Sequence, residues 1–135
     1  MVYIECIPDR TYSSMSKQTA AYACNRLGMP LVELSFFRPT KQEPVRNGRQ
    51  KGQPWKDSTY LKGACTQRLL SGKTDVWIRD GLQADDLIVT IAHEIYHLHE
   101  YKNDLATNEQ KAELFGRQVL SELAVQSQMI NFSLI

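Results

Sequence analysis

The chain has 135 residues, 42% of them hydrophobic and 23% charged, with a net charge of +1. This length suits one domain, and the composition excludes a disordered or collagen-like chain. The near-neutral balance gives no general attraction to nucleic acid or to an anionic membrane. No apolar run approaches the roughly 18 residues of a membrane span, and the opening MVYIECIPDR lacks the charged-then-apolar order of a signal peptide. Cys6, Cys24 and Cys65 are odd in number and scattered, as in reduced thiols rather than a disulfide framework. The expectation is a cytoplasmic protein with no membrane partner.

In chain order, Val2 to Ile7 is β-rich and reads as a first strand. Ser13 to Leu27 reads as a helix with Ala20, Ala21, Cys24 and Leu27 on one side, stopped by Gly28 and Pro30. Leu31 to Phe37 reads as a second strand. Residues 38–59 then hold three of the five prolines, two glycines and six Lys/Arg against Glu43 and Asp57, the composition of a long basic loop. Tyr60–Leu70 and Asp75–Ile78 read as strands around the Ser71-Gly72-Lys73 turn. Gln83–Tyr101 and Asn108 to about Gln128 have helical periodicity. Residues 1–135 are therefore expected to form a single α+β domain, with a small mixed β-sheet packed on one long helix and a C-terminal helix.

All three histidines fall within AHEIYHLH, residues 92–99. His93 and His97 are four apart, so a helix places them on one face, a turn apart, where two imidazoles can share a metal ion. Glu94 lies roughly 100° round from His93, at the edge of that face. His-Glu-x-x-His on a helix is the zinc hydrolase pattern, with two histidine ligands and the glutamate as general base. Ala84, Leu87, Ile88, Ile91, Ile95 and Leu98 form an apolar stripe on the opposite side, so the histidines are expected to face solvent or a cleft. His99 lies roughly 200° from His97 and cannot share its metal, and Glu100 falls near the metal face but too close along the same helix for a comfortable third ligand.

A catalytic zinc takes three protein ligands and leaves one position open. Thr107 and Gln110 have capping-box spacing, which starts a helix at Asn108. Glu109 borders the apolar face carried by Ala112, Phe115, Gly116, Val119, Leu120 and Leu123. A helical hairpin across the short turn 102–106 would bring Glu109 beside His97, with Gly116 permitting close approach, so Glu109 is the expected third ligand; Glu113, one turn further on, is the alternative.

These residues resemble the gluzincin metallopeptidases, whose third ligand opens an Asn-Glu-x-x-x-Asp/Glu segment, here Asn108-Glu109 and Glu113. E-x-x-A-x-x-F, here Glu109, Ala112 and Phe115, together with the stretch VWIRDGLQADDLIVTIAHEIYHLHE, is similar to the compact ImmA/IrrE-like and minigluzincin-type peptidases. The resemblance covers roughly residues 60–124. It implies a minimal zincin-like domain holding Zn2+ through His93, His97 and Glu109. It also implies Asn108 and Glu113 in the surrounding shell, and a protein or peptide as substrate. The sequence departs from the family at Tyr96, where a glycine is usual. Tyr60–Gln67 is the candidate edge strand for substrate, and Tyr60, Tyr101 and the loop arginines are candidate donors to an oxyanion. The peptide deformylases' cysteine-bearing segment is missing, so Cys65 reads as a buried thiol. The rival reading is a catalytically inactive zincin-fold binding module whose basic loop holds a protein or nucleic acid.

Overall fold

A computed structural model describes residues 2–7, 13–40, 54–55, 62–67 and 74–133. The elements in chain order are β1 (Val2–Ile7), α1 (Ser13–Arg26), β2 (Leu34–Thr40), β3 (Pro54–Trp55), β4 (Gly63–Gln67), β5 (Thr74–Arg79), α2 (Ala84–Lys102) and α3 (Glu109–Ser133). They form a small α+β fold. The strands make one five-stranded mixed sheet in the order β3-β1-β2-β5-β4. β2 pairs antiparallel with β1 and parallel with β5, while β4 runs antiparallel to β5 in the register Gly63↔Ile78 to Gln67↔Thr74. β4 is thus one edge of the sheet among the described residues.

Strand alternation sends Phe36, Val76 and Ile78 towards the helices, where they pack with Leu87, Ile88, Ile91, Ile95 and Leu98 of α2. Those five stripe residues are buried, as the helical period required, and Ala84 at the helix start is half-buried. Phe37 points to the other face, fully buried, with the Arg79 guanidinium 5.8 Å from its ring centre. α1 covers part of α2 through Ala20, Ala23 and Cys24. Ala21, placed on this side by the sequence reading, is exposed, because the buried positions follow the spacing Ser16, Thr19, Ala20, Ala23. Gly28, at φ 64, closes α1, and the Met29 N–H reaches back to the Cys24 carbonyl at 2.9 Å.

Strand boundaries differ from expectation, by one residue at each end of β5 and by more in β2. β2 begins three residues late, at the point where its pairing with β5 begins, and Leu31 before it is 70% exposed. It also runs on through Arg38, Pro39 and Thr40, which were read as loop, because β1 pairs along that length. Pro54–Trp55, likewise read as loop, forms β3 at the other edge of the sheet, against Val2 and Tyr3. Both prolines sit where a missing N–H costs least: Pro39 beyond the pairing with β5, Pro54 at the start of an edge strand. The rest of the basic stretch and the turn at 71–73 lie outside the described residues.

α3 packs along α2 with Ala112, Phe115 and Val119 buried, and meets α1 where Arg26 pairs with Glu122 at 2.9 Å. Tyr96 joins this contact, its ring 5.4 Å from that of Phe115, so its side chain serves the interface between the helices. Gly116 sets how close they come. A Cβ there would lie 2.7 Å from the Val89 carbonyl oxygen and 3.0 Å from its Cγ1. The oxygen belongs to backbone and cannot turn aside. Helix propensity alone favours alanine over glycine by about 1 kcal/mol, and overpacking of this kind costs about 1–3 kcal/mol. Gly116→Ala is therefore expected to lower stability in urea unfolding by about 1 kcal/mol; a more stable variant would contradict this close approach.

Candidate metal centre

The site begins with the period of α2. His93 and His97 project from successive turns, and their Nε2 atoms lie 3.1 Å apart. The chain then turns sharply. Asp104 adopts φ 52, and the Leu105 N–H returns to the Glu100 carbonyl at 2.9 Å, closing α2 in the manner usually given to glycine. α3 follows at once, antiparallel, and its first residue is Glu109. Glu109 Oε2 lies 2.9 Å from His93 Nε2 and Oε1 lies 3.0 Å from His97 Nε2. His93, His97 and Glu109 are thereby brought to one point, with ligand-capable atoms all within 4.8 Å of one another. Glu113, the alternative, is brought instead to the far side of His93.

The Nδ1 atoms explain what the Nε2 atoms offer. His93 Nδ1 lies 3.1 Å from Glu113 Oε2, and His97 Nδ1 lies 2.6 Å from Glu100 Oε1. A carboxylate only accepts, so Glu113 and Glu100 suit Nδ1–H donors, an arrangement that leaves each Nε2 free to offer a lone pair to a metal ion. Three sets of lone pairs then converge, two from nitrogen and one from a carboxylate. Acceptors this close require a cation among them, either shared protons or a metal ion. The fit to zinc is good: bonds of about 2.0–2.1 Å in a tetrahedron put the donor atoms about 3.3 Å apart, against the 2.9–3.1 Å found here.

Glu100, weighed in the sequence only as an uncomfortable third ligand, is instead the partner of His97 Nδ1. It stands on α2 three residues after His97, and its side chain is 2% exposed. Its second oxygen accepts the Asn108 N–H at 2.8 Å. Asn108 also differs from expectation. Its side-chain oxygen accepts the Lys111 N–H at 3.0 Å, which makes Asn108 the N-cap of α3. The helix starts one residue later than the Thr107/Gln110 spacing suggested, and Asn108 meets the histidine shell through its backbone and Glu100.

Beside the three convergent residues opens a cleft of about 370 Å³. Glu94 lines it from α2 and is buried. Burial raises its pKa above the usual glutamate range, opposed chiefly by the His93 charge. Lys62, Gly63 and Cys65 line it from the β4 side. Gly63 is required there, since a Cβ would meet Thr90 Cγ2 at 2.7 Å and Glu94 Cγ at 3.1 Å. Cys65, read as a buried thiol, is half-buried in the lining of the same cleft as Glu94; burial, then the Glu94 charge, pushes its pKa up. Tyr101 also lines the cleft, with Cys65 and Glu94. His99 is apart from this group, 3.2 Å from the Asn103 amide. Tyr60 and the loop arginines Arg46 and Arg49 lie outside the described residues.

A buried carboxylate that its partners only partly compensate costs stability. With its pKa raised by burial, Glu94 is neutral and harmless at acid pH, and its cost appears as pH rises through the raised value. Glu94→Gln is expected to stabilise the metal-free fold by about 1 kcal/mol at neutral pH, with the difference vanishing below the ordinary glutamate range. Thermal unfolding of both proteins across pH checks this.

Compared with protein-family models, with curated proteins and with solved structures, the chain finds no match.

Proposed function

We propose that this chain is a zinc-dependent peptidase with a minimal zincin-like fold, and that Glu94 is its general base. The observation that carries the reading is the placing of a buried glutamate in the same cleft as three converging ligand groups, His93, His97 and Glu109. A site that only held metal would have no use for a buried, costly carboxylate at its side.

His93, His97 and Glu109 would hold the ion, which supplies a Lewis acid for the scissile carbonyl and acidifies water towards a pKa of about 7. The remaining work belongs to the chain. Glu94 takes a proton from the attacking water and returns it to the amine as the C–N bond breaks. Its raised pKa suits that exchange better than an ordinary glutamate would. Cys65 lines the cleft beside the Glu94 carboxylate, and Gly63 lets the β4 backbone come close to it. β4 is a sheet edge beside the cleft, so an extended peptide can add to it as a further strand. Tyr101 has a phenol in the same cleft and is the group we assign to the oxyanion. The substrate is a protein or peptide. No helix among the described residues is long and apolar enough to cross a membrane.

The test is hydrolysis of a pool of quenched fluorogenic peptides by the zinc-loaded protein. Wild type should cleave members of the pool and lose that activity to a chelator. Glu94→Gln should retain zinc and lose about 10²- to 10⁴-fold in rate. Equal turnover by wild type and Glu94→Gln would overturn the role of Glu94, and no cleavage by a zinc-loaded wild type would overturn the peptidase.

A further inference from the structure

We infer that Glu100 is a positioning residue that fixes the tautomer of His97, and that it can do so only as a carboxylate. The inference deepens the metal-site reading and rests on it for its consequence, though not for its structural content. Glu100 lies 2.6 Å from His97 Nδ1 through Oε1 and 2.8 Å from the Asn108 backbone nitrogen through Oε2. A backbone N–H can only donate, so Oε2 must accept. A carboxylate has a second acceptor left for His97, whose Nδ1 then carries a proton, and Nε2 is left facing Glu109 Oε1 at 3.0 Å, where a metal ion or a shared proton must stand between them.

Glutamine has the same shape and cannot satisfy the same pair. Its single oxygen is claimed by the Asn108 N–H, because an amide nitrogen there would set donor against donor. The NH2 group then faces His97 Nδ1 and donates to it. The proton of His97 moves to Nε2, the atom that a metal needs bare. Burial makes the choice binding, since at 2% exposure no water can substitute. His93 provides an internal control. Its partner Glu113 is 44% exposed, so water can replace it, and Glu113→Gln leaves the Nδ1 proton a ready acceptor.

Glu100 also ties the two helices at the site. Its side chain takes the N–H of the residue just before α3, and its backbone carbonyl takes the Leu105 N–H of the connecting turn. The carboxylate that orients His97 on α2 therefore also seats the turn from which Glu109 projects.

The experiment is long-range 1H–15N correlation of the imidazoles in metal-free protein, followed by zinc titration in competition with a chromophoric chelator. In wild type, His97 should carry its proton on Nδ1. In Glu100→Gln the proton should be on Nε2, and zinc affinity should fall about 10- to 100-fold, the usual effect of losing such a partner. Glu113→Gln should leave the His97 tautomer unchanged and weaken zinc less. A His97 proton on Nε2 in the wild type would overturn the inference without any variant, so it stays testable even if Glu100→Gln does not fold. A folded Glu100→Gln with wild-type tautomer and zinc affinity would overturn it as well. A wild type that bound no zinc would overturn the metal reading alone, and the tautomers of the metal-free proteins would still decide the role of Glu100.

Discussion

The contact between Gly116 and the backbone of Val89 determines how closely α3 can lie on α2, and the candidate site exists only at that distance. Two histidines one turn apart follow from helical period alone. Their meeting with Glu109 does not, because Glu109 comes from a different helix and its side chain is 72% exposed. An exposed carboxylate is weakly held by ion pairing. What brings it to the imidazoles is the rigid body of α3, anchored by buried Ala112, Phe115 and Val119. Apolar packing thus supplies the precision, and the polar groups use it.

Burial gives the carboxylates of the site different characters. Glu109 reaches in from solvent and Glu113 is half-buried, whereas Glu94 and Glu100 are enclosed. Glu100 has partners for both oxygens, so its enclosure fixes a geometry. Glu94 is compensated in part, so its enclosure makes it more basic than a surface glutamate. A carboxylate that orients and a carboxylate that moves protons require these opposite treatments.

Much of this could be read from the residue order, and the parts that could not share a cause. The helices, the apolar stripe of α2 and the facing residues Glu109 and Gly116 all follow from the 3.6-residue period. The strands were found, but their limits depend on partners: β2 starts where β5 meets it and continues through Pro39 because β1 extends alongside. The parallel pairing of β2 with β5 carries no local signature, since period-2 alternation is the same for either direction. Glu100 was read against the metal face, while its place depends on which nitrogen of His97 faces outward and on where α3 begins. Cys65 was read by residue type, whereas its neighbours Glu94 and Tyr101 are set by the edge position of β4. The meeting of the two helices at Glu109 and Gly116 was legible because a short turn joins them, whereas contacts that depend on strand pairing or on a ring nitrogen's outward partner were not.

The account depends most on the claim that His93, His97 and Glu109 together hold a metal ion. Calorimetric titration of the metal-stripped protein with zinc addresses it directly, with His97→Ala and Glu109→Ala beside the wild type. Binding of one zinc per chain, lost in His97→Ala and at least strongly weakened in Glu109→Ala, is the predicted result. A wild type that takes up no zinc, or variants that bind it as tightly as wild type, would contradict the claim and leave the three side chains as a proton-sharing cluster.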